Sequence, residues 1–409
     1  MHIFQHDNGK FNFSRLFAMS IVATLLIVFA STSDAYAQRR KAVLGGKKAN
    51  GSDKKSEAQP GRPNATAGNS NLPGLTARPK KKKDEDDEFA PQVVTMTVKR
   101  EGIQLVATWF PPIIEEEDSK KKRKTAAQRN KPGEAKPDPE PGKSVVPFIL
   151  VHDWARNRTD LLQLASFLQS QGHAVIVPDL RGHGQSVRVA GMDKLLDHRK
   201  FKKSDKGSTF GDIDQCKRFL QEKNNEGLLN IDLLNVVAVG DSCHVAIAWA
   251  LADWSWEPVA GIKQGKDVKS LILFSPTAKF AGSSLRKLAK EPMISGRKTA
   301  ALPMLVIWGG NNSDDAEECN AFVRLLRKSR PEAPRDLSEA QRWQVQNLFH
   351  FEAPTQMTGF QLAGNPNAKK IWSFANNFVA QKVVEFKDQF PWQIRGADAV
   401  LKAREALEK

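Results

Sequence analysis

The chain has 409 residues, enough for one large α/β domain or two ordinary ones, and carries a formal net charge of +16. Its three cysteines, Cys216, Cys243 and Cys319, make no disulfide framework, and no Cys/His spacing suits a structural zinc site. Much of the positive excess lies in low-complexity stretches without interleaved aromatics, so the charge does not point to nucleic acid.

Residues 1–37 read as an export signal. Lys10 and Arg15 precede an apolar run at 16–30, and Ala35-Tyr36-Ala37 supplies the small residues expected before a cleavage site near Ala37. The run is shorter than the ~20 residues that span a bilayer, so a leader is expected rather than an anchor. No other stretch is apolar enough to span. The mature chain is expected to lack a transmembrane helix and to reside in the periplasm or outside the cell. Residues 38–89, rich in Lys, Gly, Pro, Asn and Ser, cannot bury enough apolar surface to order themselves and are expected to be a disordered basic segment. Lysine-rich runs at 80–83 and 120–124 adjoin acidic blocks at 84–88 and 115–118, the pattern of solvated linkers. A second reading gives these runs contact with an anionic envelope surface.

Order is expected from residue 90. Residues 93–98 and 104–109 alternate around Glu101-Gly102, which predicts a β-hairpin. A low-complexity insert at 113–143 follows, spliced between early strands. From 145 the pattern alternates between strand and helix. Strands are predicted at 145–151, 174–177, 234–239, 268–274, 304–308 and 343–351. Helices are predicted at 160–171, 210–220, 242–251, 316–326 and 370–384, with a helical extension at 387–409. Short buried strands alternating with helices imply an α/β fold, a mostly parallel twisted sheet covered on both faces.

Three motifs carry chemistry. Residues 148–152 form an apolar strand ending in His152, followed by Asp153-Trp154. Residues 177–186 read Val-Pro-Asp-Leu-Arg-Gly-His-Gly-Gln-Ser, a loop after the next strand. At 236–251 an apolar run stops at Gly240, Ser242 follows, and a helical apolar pattern starts at once. That strand–turn–helix is the kind that presents a nucleophilic serine. It reads Gly240-Asp241-Ser242-Cys243-His244.

On these motifs, residues 92–386 resemble the α/β-hydrolase superfamily, in its monoglyceride-lipase-like and serine-aminopeptidase-like branch. The domain is set at 90–386. The resemblance implies Ser242 as nucleophile and the backbone N–H groups of Trp154 and Cys243 as an oxyanion hole. Asp314 and His350 follow Ser242 in the family's chain order and are the candidate acid and base. It also implies a small ester or amide substrate, with no cofactor and no metal. His152 and His183 belong to loop-shaping motifs rather than to proton transfer.

Alternatives stand beside these assignments. Asp314 and Asp315 also suit capping of the next helix, and a strand histidine such as His350 suits a structural role. His244 lies about 200° around a helix from Ser242, poorly placed for a base. Cys243 as nucleophile would have to leave the sheet side. The chain departs from the family pattern at Asp153 and His244, which replace glycines, at Asn312 in the acid's place and at Thr358 in the base's place. The stretch between Phe274 and Leu302 is short and basic, so no large lid domain is expected. Two functions follow: an exported serine hydrolase with an incomplete triad, or a non-catalytic binding or structural protein on a hydrolase scaffold in the cell envelope.

Overall fold

The computed structural model describes residues 89–99, 101–114, 141–259, 262–297 and 301–396. The leader at 1–37, nearly all of 38–89, both lysine-rich runs, most of the insert at 113–143 and residues 397–409 lie outside the described residues.

The hairpin forms as predicted. Strand β1 (Gln92–Val98) pairs antiparallel with β2 (Ile103–Phe110), with Gln92 opposite Trp109. Gly102 turns the chain at φ 69°, a conformation that is cheap only for glycine. Next come β3 (Pro147–Val151), helix α1 (Leu162–Ser170), β4 (Ala174–Pro178) and the short β5 (Arg188–Val189). Helix α2 (Phe210–Asn225) leads to β6 (Leu234–Val239), α3 (Ser242–Ser255) and β7 (Val268–Phe274). A small ribbon, β8 (Lys279–Phe280) and β9 (Ser283–Ser284), and two one-turn helices occupy the stretch before β10 (Met304–Gly309). Helix α4 (Ser313–Arg327), α5 (Glu339–Val345), β11 (Leu348–Ala353), α6 (Gly359–Gly364) and α7 (Lys369–Val379) complete the described chain.

The main sheet runs β1-β2-β4-β3-β6-β7-β10-β11, with β5 on β2. Strands from β4 to β11 pair in parallel, and β2 is antiparallel to its neighbours. Parallel pairing forces a crossover between strands, and the crossovers lay helices on both faces. Ile149 and Val151 point to the face covered by α2, α3 and α4, while Phe148 and Leu150 point to the face covered by α1, α6 and α7. This explains why β6 and β7 are buried at every position rather than at alternate ones. Each fully buried aliphatic side chain there contributes about 1.5–3 kcal/mol.

Two predicted elements differ. Residues 343–351 split into the end of α5 and the start of β11. Ser338 Oγ accepts a hydrogen bond from Gln341 N while Ser338 N donates one to Gln341 Oε1, a capping box that starts a helix through Trp343. The extension at 387–409 is, over its described part, a 3₁₀ turn at Lys387–Gln389 followed by an irregular strap. The strap ends in Arg395, whose buried guanidinium pairs with Asp267 and with Asp232 at 3.1 Å. Lys217 closes the same buried cage, pairing with Asp253 and with Asp267 at 2.8 Å.

Candidate active site

Ser242, Trp154 and Asp314 lie just past the carboxyl ends of β6, β3 and β10. The decisive element is the turn after β6. A nucleophile elbow holds its serine on a strained corner with the hydroxyl exposed. Here the left-handed corner residue is Gly240, at φ 55°. Ser242 is not among the residues with positive φ; it is the first residue of α3 and is buried. Its hydroxyl has no hydrogen-bond partner. The chain therefore spends its sharp turn two residues early, on the residue for which a left-handed backbone costs least. With Gly240 on the corner, the small residues Ser242 and Cys243 form the first turn of the helix and pack inward.

The oxyanion position moves with the corner. The residue after the corner is Asp241, and its N–H, with that of Trp154, forms the donor pair of such a site. Both donors are occupied. Asp153 Oδ1 accepts Trp154 N at 2.7 Å and Asp241 N at 3.1 Å. A β-carbon on Gly240 would meet the Asp153 carboxylate at 2.4–2.8 Å, so the carboxylate fills the space a corner side chain would use. Burial is the largest influence on Asp153 and raises its pKa above the ordinary carboxylate value, against the two N–H donors, which lower it. Asp153 takes Asp241 N and not Cys243 N, the second donor expected from the sequence. Cys243 N instead donates to Gly240 O at 3.2 Å, and its thiol is buried and pushed well up in pKa by that burial.

The remaining candidates lie apart from Ser242. Asp314 is exposed near the start of α4, and its carboxylate is within 3.4 Å of the neighbouring Ser313 hydroxyl. Its neighbour Asp315 is half-buried and engaged. It accepts Ser275 Oγ at 2.7 Å and Gly309 N at 3.1 Å. Ser275 in turn accepts Gly359 N at 2.7 Å, next to Thr358 in the base's place. A chain of hydrogen bonds thus links Asp315, Ser275 and Gly359. Asn312 caps α4 by accepting Asp315 N at 3.1 Å.

His350 is in mid-strand, in register with Val306 and three residues before the end of β11. Its exposed ring stacks on Trp308 at 5.7 Å, with the Arg327 guanidinium 3.4 Å from its nitrogens. Burial of part of the ring, then Arg327, lowers its pKa. None of Ser242, Asp314 and His350 hydrogen-bonds another. His244 is also committed. Its Nε2 faces Thr277 O at 2.7 Å and its Nδ1 faces the Ser283 hydroxyl at 3.3 Å, which ties α3 to the β8–β9 ribbon.

The histidines of the other two motifs shape loops, as expected. His152 accepts Leu180 N on Nε2 at 3.0 Å and directs Nδ1 to Asp153 O at 2.7 Å; burial holds its pKa down to about 3. Asp179 holds the loop after β4 by accepting Arg158 N and Gln185 N, each at 2.8 Å. Gly184, at φ 47°, leaves room for that carboxylate, which a β-carbon would meet at 2.2 Å. His183 bridges the Arg181 and Trp154 carbonyls and stacks on His198 at 3.9 Å. Over the donor pair, Trp154 packs against His183, Phe201 and Phe280, and Lys206 Nζ sits 5.2 Å from its ring centre. The three cysteines are buried and free. Among the described residues, no group of three His, Cys, Asp or Glu side chains could hold a metal ion.

Comparison with known proteins adds a likeness of fold. No family model matches the sequence, and no curated protein matches it. Among solved structures, the chain is similar to a dienelactone hydrolase from Anabaena variabilis, at 12% identity and a TM-score of 0.43, over 72% of this chain and 99% of that one. It is similar to the thermostable carboxylesterase EstE1 from a metagenomic library, at 10% identity and 0.44, over 72% of this chain and 89% of that one. It is also similar to the Pyrococcus horikoshii acylaminoacyl peptidase, at 13% identity and 0.44, over 73% of this chain and 42% of that one. The fold is α/β, a mostly parallel sheet with helices on both faces, and no residue's role follows from these likenesses.

Proposed function

We propose that this chain is a non-catalytic protein on a serine-hydrolase-like scaffold, exported through its leader and acting in the cell envelope by binding or as a structural component. One observation carries the reading. Asp153 Oδ1 takes both N–H groups that an oxyanion would need, at 2.7 and 3.1 Å. A site preorganised for developing negative charge works by leaving such donors free for the reacting oxygen. Here a fixed negative group already holds them. Three further features support it. Ser242 is buried without a partner, Gly240 holds the corner, and Ser275 ties up Asp315. A serine without a base is a poor nucleophile near neutral pH.

The test is turnover of short-chain aryl esters and peptide amides by the wild type beside Ser242→Ala. Both are expected at the same background rate. Serine-dependent turnover at ordinary enzyme rates, about 1 s⁻¹ or faster, would overturn the proposal in favour of an ester or amide hydrolase.

A further inference from the structure

The loop after β4 carries a feature that the closed serine site does not use. Residues 187–196 fold back on themselves as a small protruding hairpin. Leu196 N donates to Val187 O at 2.8 Å, Met192 N to Val189 O at 3.1 Å, and Gly191 turns the tip at φ 72°. The base is anchored: β5 pairs with Ile103 and Gln104 of β2, and Ala190 N donates to Gly102 O at 2.8 Å. Residues 190–195 are exposed without interruption. Two large apolar side chains stand on this tip, Met192 at 37% and Leu195 at 56% exposure.

Charge surrounds them. Residues 188–206 contain seven basic and three acidic residues. Asp197 is engaged by Arg199 at 2.9 Å and Lys200 at 3.8 Å. Arg188, Lys194, Lys202 and Lys203 are exposed and make no ion pair among the described residues. Exposed apolar residues at the tip of an anchored hairpin, with unpaired cations in the same stretch of chain, match the chemistry of an interfacial membrane anchor. The apolar groups enter the headgroup–acyl boundary and the cations meet anionic headgroups. A soluble polyanion would use the cations but give no reason for Met192 and Leu195 to face water.

We propose that the 187–203 hairpin is a docking surface for an anionic phospholipid bilayer, with Met192 and Leu195 inserting and Lys194, Lys202 and Lys203 contacting headgroups. This goes beyond the non-catalytic reading and does not depend on it, because its test reads lipid contact and not turnover.

The native cysteines are all buried, so an environment-sensitive thiol dye attaches selectively at an introduced surface cysteine. The full chain is labelled as Leu195→Cys, and separately as Val345→Cys, a position 57% exposed just before β11 at the opposite end of the strands. Both are titrated with phosphatidylglycerol–phosphatidylcholine vesicles and with pure phosphatidylcholine vesicles. The expected result is a blue shift at 195 with the anionic vesicles only, and none at 345. Adding Lys202→Glu and Lys203→Glu to the Leu195→Cys chain is expected to raise the lipid needed by roughly tenfold or more. The proposal is overturned if the dye at 195 stays in water with the anionic vesicles, whether or not the chain binds them, if both positions shift alike, or if charge reversal leaves the titration unchanged. A shift with free polyphosphate equal to that with vesicles would also overturn it, in favour of a soluble polyanion.

Discussion

Replacing Asp153 by alanine should turn an occupied anion position into an empty one. The substitution removes the acceptor from Trp154 N, bonded at 2.7 Å, and from Asp241 N, bonded at 3.1 Å. Hydrogen bonds to a charged partner contribute about 1.5–3 kcal/mol each, so the gross loss is about 3–6 kcal/mol. Against it stands the burial of the carboxylate, the largest influence on Asp153, which opposes its charge and disappears with it. The net cost should be about 1–2 kcal/mol at neutral pH, a fall in Tm of about 2–5 °C. The vacated donors should then accept a small carboxylate from solution. With a Kd of about 10 mM, 100 mM acetate restores about 1.4 kcal/mol. The assay is thermal unfolding of wild type and Asp153→Ala, with and without acetate against a chloride control of equal ionic strength. Acetate should stabilise the variant alone. Equal shifts in both proteins, or none in the variant, would refute the claim that Asp153 fills an oxyanion position.

Three more outcomes follow from the same contacts. Because burial holds His152 down to about 3, the unfolded chain binds a proton near pH 6.5 that the folded chain refuses until about pH 3. That contribution is complete above pH 6.5 and falls by about 1.4 kcal/mol per pH unit below it; His152→Gln should flatten the pH dependence of the urea midpoint between pH 7 and 5. Arg395→Ala should cost about 3–5 kcal/mol, because Asp232 and Asp267 lose a buried partner, and limited proteolysis should then cut the strap after Phe390. His350→Ala should shift stability by less than about 1 kcal/mol and leave ester turnover at background, since its ring is exposed and stacked on Trp308.

The fold was legible because it rests on burial patterns that the sequence displays. The runs at 234–239 and 268–274 match β6 and β7 residue for residue, since strands buried on both faces read as mostly apolar blocks, interrupted here by Asn235, Lys269 and Ser270. The stretch at 343–351 misled because Trp343, Leu348 and Phe349 are apolar in either element, while the helix signal sat upstream in Ser338 and Gln341. The site was harder to read. Gly240-Asp241-Ser242 spells a nucleophile elbow, but the spelling does not say which residue takes the left-handed corner. That choice is made by backbone cost and by Asp153, far away in sequence, whose carboxylate needs the space beside Gly240. Asp153 stood out by its residue type next to Trp154. Its capture of Asp241 N needed the register of β3 against β6, which no local pattern records.

On the proposed function, Ser242 is not poised for acyl transfer. The most direct measurement is reaction of the folded chain with a fluorophosphonate probe, followed by peptide mapping of any adduct. The account predicts no adduct on Ser242, whose hydroxyl is buried and unpartnered. Stoichiometric labelling of Ser242, lost in Ser242→Ala, would contradict it and establish a working nucleophile.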